Sequence, residues 1–319
     1  MPQPEAVDTR TELPAASTSL HRRALMVVNS KGTRGRRALD RGLQILADAG
    51  VEAEPQRPAS PEDIPDLIRE QAPEADLVIL GGGDGTFSFA LDALLEAGRP
   101  LGVLPMGNAN DFARTLGIPI ECEAACRVIA DARSRKVDVG CINGTHFLNV
   151  ASMGLSVRIA RRLTRDLKER WGVWAYLGCA WEAIHERRSF AARVTCDDES
   201  AVLRSMQIAV GNGRFYGGGM TIVADAAIDD GRLDLYALPR LRWWRLLVLL
   251  PILRWGWHRP IESILSLHGR KIDIETGRAL EINVDGEVRA RTPAHFAVRP
   301  QALEVFVPAR TADAPPGRA

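Results

Sequence analysis

The stretch "VILGGGDGTFSFALDALLEAG" (Val78–Gly98) decides the fold. An apolar run ends in consecutive glycines and an aspartate, and a pattern with helical spacing follows. A buried strand passing through a glycine turn into a helix is the building unit of a parallel α/β sheet. In such sheets ligands gather beyond the carboxyl ends of the strands, where this loop falls.

The pattern repeats on both sides. "ALMVVNS" (24–30) and "PLGVLPMG" (100–107) read as buried strands, with "RRALDRGLQILADAG" (36–50) and "PEDIPDLIREQAP" (61–73) as helices. This alternation predicts an N-terminal doubly wound parallel α/β domain over 21–145. From residue 146 the texture changes. "HFLNVASMG", "FAARVTCD", "VLRSMQIAVGNG", "GRLDLYAL", "KIDIETG", "LEINVDGEV" and "LEVFVP" are short, mostly alternating and bounded by turn residues. They predict a C-terminal antiparallel β-sandwich domain over 146–308, interrupted by helices at about 156–187 and 241–255.

Composition sets limits on partners. With 319 residues, 46% hydrophobic and 25% charged, the chain is an ordinary globular protein of one large or two average domains. A formal net charge of +1 gives no field for nucleic acid, so attraction to phosphate must be local. Five dispersed cysteines do not make a disulfide framework and fit a reducing cytoplasm. Cys122 and Cys126 would share a helix face, yet nothing nearby in sequence completes a zinc site. Residues 1–20 lack an apolar core and read as a disordered tail, as do 309–319. No run reaches the ~18 apolar residues that span a bilayer.

The glycine loop excludes two familiar motifs. G-x-G-x-x-G fails, because its last glycine would fall on Thr86 or Ser88, and a Walker A loop needs a lysine that is absent. Phosphate still fits the loop: glycine amides and a helix N-terminus both favour an anion. Asp84 would repel that anion unless a cation lay between them, which points to Mg2+. Taken alone, the loop is also readable as a tight turn with Asp84 as a helix cap.

Further acids stand at strand ends or turns: Asp111 in "LPMGNANDFARTLGIP", Asp138 in "RKVDVG", and Asp285 and Glu287 in "INVDGEV". With "NS-KG" (29–32), "GGGDGTF", "LPMGNANDFAR", "FLNVASMG", "GNGRFYGGGM", "DDGRLDLY" and "VDGE" in this order, the sequence resembles the diacylglycerol kinase catalytic family, which includes bacterial soluble lipid kinases and sphingosine kinases. GGDGT by itself is shared with NAD kinases and phosphofructokinases; the combination is what carries the resemblance.

That resemblance implies an ATP- and Mg2+-dependent lipid kinase acting on a diacylglycerol-like lipid, phosphatidylglycerol or a sphingoid base. Asn29, Ser30, Lys31, Gly32 and Thr33 would line the nucleotide phosphates, together with Gly82, Gly83, Asp84, Gly85, Thr86 and Phe87. Asn108 and Asn110 would join them on the nucleotide side. Asp84, Asp111 and Asp138 would form the acidic network around the catalytic Mg2+. Asp285 or Glu287 would be the general base, and the sequence leaves that choice open. A second, structural Mg2+ would be held by Ala227, Asp230 and Arg232, with Asp230 its only side-chain ligand. Asn108 stands where the family has Thr, and Lys31 falls within a departure from its N-P-x-S-G.

A lipid acceptor requires the membrane surface. "RLRWWRLLVLLPILRWGWHRP" (240–260) has five arginines, four tryptophans and no acid, which suits either the headgroup region or a packed helix. "RRLTRDLKER" (161–170) carries net charge +3 and suits either anionic lipid or a solvated face. The expectation is a cytoplasmic protein touching the inner membrane face, with homodimerisation left open. The alternatives are a non-catalytic lipid-binding module on the same fold and an NAD kinase-like phosphotransferase.

Overall fold

The computed structural model describes residues 21–29, 34–162, 189–213, 215–216, 220–221, 227–239 and 265–309. The N-terminal tail (1–20), the end beyond 309, residues 30–33 and the stretch 240–260 lie outside the described residues, as does 161–184 apart from its first two residues.

The N-terminal half opens with β1 (Arg22–Val28), α1 (Arg34–Asp48), β2 (Val51–Gln56), α2 (Ile64–Gln71), β3 (Leu77–Gly82), α3 (Asp84–Ala97) and β4 (Leu101–Pro105). Two short helices follow, α4 (Asp111–Leu116) and α5 (Cys122–Ala130). The strands pair in parallel in the order β2-β1-β3-β4. Every residue of β3 and β4 is buried, as expected for central strands covered on both faces. β2 alternates in burial and holds Pro55, which an edge strand tolerates because one row of its backbone groups needs no partner. The chain steps from β1 outward to β2, then crosses back to β3. Right-handed crossovers put α1 on one face, where α5 packs against it, and α2 with α3 on the other. The direction reverses between β1 and β3, so the ligand crevice of this fold opens at their carboxyl ends. α3 stops at Gly98, whose φ of 60° closes the helix through a hydrogen bond to Leu94.

The C-terminal half supplies β5 (Ser134–Ile142), β6 (Thr145–Phe147), β7 (Val150–Gly154), α6 (Leu155–Arg162), β8 (Phe190–Cys196), β9 (Glu199–Ser205) and β10 (Gln207–Gly211). After these come β11 (Phe215–Tyr216), β12 (Met220–Thr221), β13 (Leu233–Leu238), β14 (Leu265–Gly269), β15 (Lys271–Thr276), β16 (Glu281–Val284), β17 (Glu287–Arg291) and β18 (Ala294–Phe306). Six strands form an antiparallel sheet in the order β14-β13-β10-β7-β16-β17.

The opposite layer is where the structure adds to the expected parallel sheet. β18 joins β4 through the Val305–Leu101 pair and continues the first sheet into β15, β8 and β9, which are antiparallel. β5 and β6 attach along β18. The first sheet is therefore parallel only from β2 to β4 and mixed as a whole. Its C-terminal strands face the six-stranded sheet across one core, in which Phe147, Met153, Ile208, Leu235, Ile274 and Phe296 pack together. A second core lies between the parallel strands and their helices, around Met26, Ile79, Leu91 and Phe112. β18 serves both cores, bending between Arg299 and Leu303 where Gln301 takes a φ of 52°.

Candidate active site

The site begins where β1, β3 and β4 end. Asn29 closes β1 with its N–H on Gly81 O (2.8 Å), and its side-chain amide donates to Thr86 Oγ1 (3.1 Å). The loops after β3 and β4 are pressed together: Met106 N–H donates to Gly82 O (2.8 Å). A Cβ on Gly107 would lie 2.5 Å from the Gly83 Cα, so neither loop accepts a side chain there. Asp84 Oδ1 accepts the Phe112 N–H (3.0 Å), bonding the first turn of α3 to the first turn of α4, and the Phe87 and Phe112 rings meet 5.7 Å apart behind it. The helix-cap reading of Asp84 is thus met across two elements rather than within one.

Gly85 differs from its neighbours. It lies in α3, where alanine would be favoured by roughly 1 kcal/mol, its φ is not positive, and an added Cβ would meet nothing within 4 Å. The fold does not require glycine here. Among the expected nucleotide ligands, Asn110 also shapes its own loop. Buried at a φ of 51°, its side chain accepts from Gly107 N (2.8 Å) and donates to Gly107 O (2.9 Å), bracing the loop that carries exposed Asn108. Ser30, Lys31, Gly32 and Thr33 lie outside the described residues.

Asp285 sits in the β16–β17 turn at a φ of 47° and is half-buried. Its Oδ2 accepts Leu148 N–H (2.7 Å), and its Oδ1 accepts those of Asn149 (2.9 Å) and Val150 (3.0 Å). Burial pushes its carboxyl above the ordinary aspartate range; the Leu148, Val150 and Asn149 amides pull it back, and the Asp84 charge pushes it further up. The two carboxylates are thus close enough for their charges to interact. Glu287, two residues on, is exposed and pairs with Arg289 (2.8 Å), whose guanidinium lies 5.6 Å from the Phe89 ring of α3. The two acids that the sequence left equivalent are physically unlike. One is half-buried, clamped and shifted; the other is a surface ion pair.

Asp138, expected in the acidic network around Mg2+, has a structural role in this fold. It is almost wholly buried, and its oxygens take the backbone N–H groups of Gln301 (2.8 Å) and Gly231 (2.6 Å). Its own N–H donates to Ile228 O (2.7 Å). Asp138 therefore bolts the 228–231 turn and the bend of β18 to β5. Asp111, the first residue of α4, is buried beside the Asp84 loop. Among the described residues no group of three or more His, Cys, Asp or Glu is placed to hold a metal ion, so Asp84, Asp111 and Asp138 do not form one carboxylate cluster. The Ala227, Asp230 and Arg232 turn likewise shows Asp230 engaged by its neighbour, accepting Arg232 N (3.2 Å) and Nε (3.0 Å).

Sequence reasoning passed over Asn149 and Asn212. Gly211 pairs with Val150, and Asn212 N–H donates to Asn149 O (2.9 Å), so the two stand opposite each other at the ends of β7 and β10. The Asn212 side-chain NH2 is committed to Asp138 O (2.9 Å) and Leu148 O (3.0 Å), which fixes where its oxygen points. The Asn149 and Asn212 side-chain oxygens are both buried without a hydrogen-bond partner, directly beside the Asp285 clamp. Buried acceptors are rarely left unmet, and these two mark room for a donor. Their only sequence signal is position, in "FLNV" and "GNG" at strand ends.

With this geometry in hand, known proteins can be compared. The description "Diacylglycerol kinase catalytic domain" matches residues 23–142, and "YegS C-terminal NAD kinase beta sandwich-like domain" matches 149–307. A Pseudomonas aeruginosa (strain UCBPP-PA14) protein named "Probable lipid kinase YegS-like" is 34% identical over 235 residues, 73% of this chain and 76% of that protein. The chain belongs to the diacylglycerol kinase family. Within that family, a Staphylococcus epidermidis (strain RP62A) protein named "Diacylglycerol kinase" is 30% identical over 237 residues, 74% of this chain and 75% of its own. The crystal structure of a diacylglycerol kinase from Bacillus anthracis str. Sterne superposes with a TM-score of 0.75, covering 91% of this chain and 98% of that one. At 24% identity that likeness carries the fold alone. Family membership makes the chain a kinase.

Proposed function

We propose that this kinase transfers the γ-phosphoryl group of ATP, with Mg2+, to the hydroxyl of a diacylglycerol-like lipid. The observation that carries the reading is Asp285, a half-buried carboxylate held by three backbone amides and near enough to Asp84 to feel its charge. A general base needs an affinity for protons above that of a free carboxylate, and burial supplies it. The residues also fit a bound nucleotide and metal. Gly85 leaves its backbone open to a phosphate, and the buried oxygens of Asn149 and Asn212 await donors. When bound, Mg2+ neutralises phosphate charge during transfer. Asp84 and Asp111, at the starts of α3 and α4, would hold it. Asp285 orients the acceptor hydroxyl and takes its proton, and the amide oxygens of Asn149 and Asn212 fix a second donor beside it.

No described helix is long and apolar enough to cross a membrane. We assign contact with a cytoplasmic lipid surface to 161–184 and 240–260; within the first, Arg161 is already paired with Glu281 (2.6 Å). The reading is tested with radiolabelled ATP and Mg2+ over a panel of diacylglycerol, phosphatidylglycerol and sphingoid bases in mixed micelles. Labelled lipid is the expected product. Labelled NADP from added NAD, or lipid binding without turnover, would overturn it.

Two substitutions sharpen the reading. Gly85→Ala should leave thermal stability equal or slightly higher, because nothing in the fold meets the new methyl. The KM for ATP should rise about tenfold, as crowding of a close-fitting group by one methyl costs roughly 1–3 kcal/mol. An unchanged KM would show that no phosphate approaches there. Glu287→Gln removes only an exposed ion pair, worth at most about 1 kcal/mol, so kcat should stay within roughly fivefold of wild type. A loss as deep as that of an Asp285 variant would return the base to Glu287.

A further inference from the structure

α1 and α5 pack against each other on the face of the sheet away from α3, and their contact holds a pair of thiols. Cys122 and Cys126 lie four residues apart on the α5 face that meets α1. Both sulfurs sit over Gly42: a Cβ built there would lie 2.7 Å from Cys126 Sγ and 3.6 Å from Cys122 Sγ. Glycine at this point of α1 leaves the space the pair occupies. The two thiols are unequal in access, Cys122 half-buried and Cys126 buried, and both are free.

Their electrostatics are unequal too. Cys122 is the first residue of a nine-residue helix whose preceding residue, Glu121, offers no side-chain cap, so the unmet N–H groups of the first turn lie beside its sulfur. The neighbouring Cys126 thiol holds it below the ordinary thiol range, against the opposing effects of burial and of Glu123. The same contact pushes Cys126 up. Of the two sulfurs, Cys122 is the one on the accessible side.

We propose that Cys122 and Cys126 form a peroxide-sensitive dithiol, with Cys122 as the attacking thiolate and Cys126 as the resolving thiol. In the first step the Cys122 thiolate attacks one oxygen of a hydroperoxide; an S–O bond forms, the O–O bond breaks, and hydroxide or alkoxide leaves. The sulfur is oxidised by two electrons to a sulfenic acid as the peroxide is reduced. In the second, the Cys126 sulfur attacks the Cys122 sulfur; the S–S bond forms, the S–O bond breaks, and the hydroxyl leaves as water with the Cys126 proton. Residues four apart on a helix have Cα atoms about 6 Å apart, within disulfide range, but Cβ atoms at about 5–6 Å, beyond it. The first turn of α5 must therefore loosen, and Cys122, at its very end, is the residue free to move. A strained disulfide of this kind is readily reduced, which makes the switch reversible. Glu123, next to Cys122, pairs with Arg41, next to Gly42, at 2.6 Å. Loosening α5 is thereby felt in α1, the helix that directly follows the Asn29–Thr33 stretch.

The test treats the folded, full-length protein with hydrogen peroxide at neutral pH and follows each cysteine by alkylation and peptide mass spectrometry. Cys122 should be consumed at least about tenfold faster than Cys141, which is also half-buried. The peptide holding both residues should lose two hydrogens and regain them with dithiothreitol. Cys126→Ser should leave a sulfenic acid at Cys122 that dimedone captures, and Cys122→Ser should leave Cys126 reduced. Equal rates at Cys122 and Cys141 in the wild-type protein would overturn the proposal without recourse to any variant. So would a sulfenic acid that persists at Cys122 while Cys126 is present. Because these readouts are chemical, their failure is separate from failure of the kinase reading.

Discussion

Asp285→Asn lowers kcat by about 10²–10⁴-fold, the usual contribution of a positioned general base, and leaves the protein folded. The asparagine oxygen can still accept the Asn149 and Val150 amides, and only the Leu148 amide is left facing an NH2 group. Loss of that bond is offset by relief from burying a charge. The pH profile gives the stricter test. The base must be deprotonated, and burial raises its pKa, so wild-type activity falls with decreasing pH from above the ordinary aspartate range. The asparagine variant should lose that acid limb along with its rate. Stability moves in the opposite sense. A folded-state pKa above the unfolded one means that the folded protein binds the extra proton, so stability from this group is present at low pH and lost as pH rises through the folded pKa. The slope should vanish in Asp285→Asn. A variant with wild-type kcat and an unchanged acid limb would remove Asp285 from the reaction.

Asp138→Ala should be the most destabilising single change in the site region. Two backbone donors, Gln301 N–H and Gly231 N–H, lose their acceptors inside the protein. Each unmet donor costs about 1–3 kcal/mol, for a total of roughly 2–6 kcal/mol. At about 2–4 °C per kcal/mol for a domain of ordinary size, the melting temperature should fall by roughly 5–20 °C. Asp138→Asn should fall between, because its oxygen can serve one donor while its NH2 opposes the other. The measurement is thermal unfolding with and without Mg2+. A fall that is the same in both conditions fits a structural bolt. An unchanged melting temperature with a shifted Mg2+ requirement would restore Asp138 to the metal.

How far the sequence carried differs from residue to residue. β3 and β4 were legible because a strand covered on both faces must be apolar throughout, and "VILGG" and "LGVLP" are. β2 was passed over, since "VEAEPQ" at a sheet edge keeps two glutamates and a proline that no central strand would hold. The return of β18, β15, β8 and β9 to the first sheet was illegible for a different reason. Alternation tells which face of a strand is apolar, not which sheet the strand joins. Asp84 and Asp285 could be picked out as acids at strand ends, but only burial separates Asp285 from Glu287. Asp138 looked the same as they did in sequence. Its partners are 93 and 163 positions away, and no local spacing encodes them.

The unbroken run of β18 has a mechanical consequence. A single strand hydrogen-bonded to β4 and to the antiparallel β5 and β15 transmits force between the parallel and antiparallel strands of the first sheet, so these are not two beads on a string. Rocking of one against the other must be absorbed where the strand departs from straight pairing, at Gln301, and that residue's amide is gripped by Asp138. The stiffness of one peptide joint thus bears on how far the parallel strands can shift against the antiparallel strands that β18 carries.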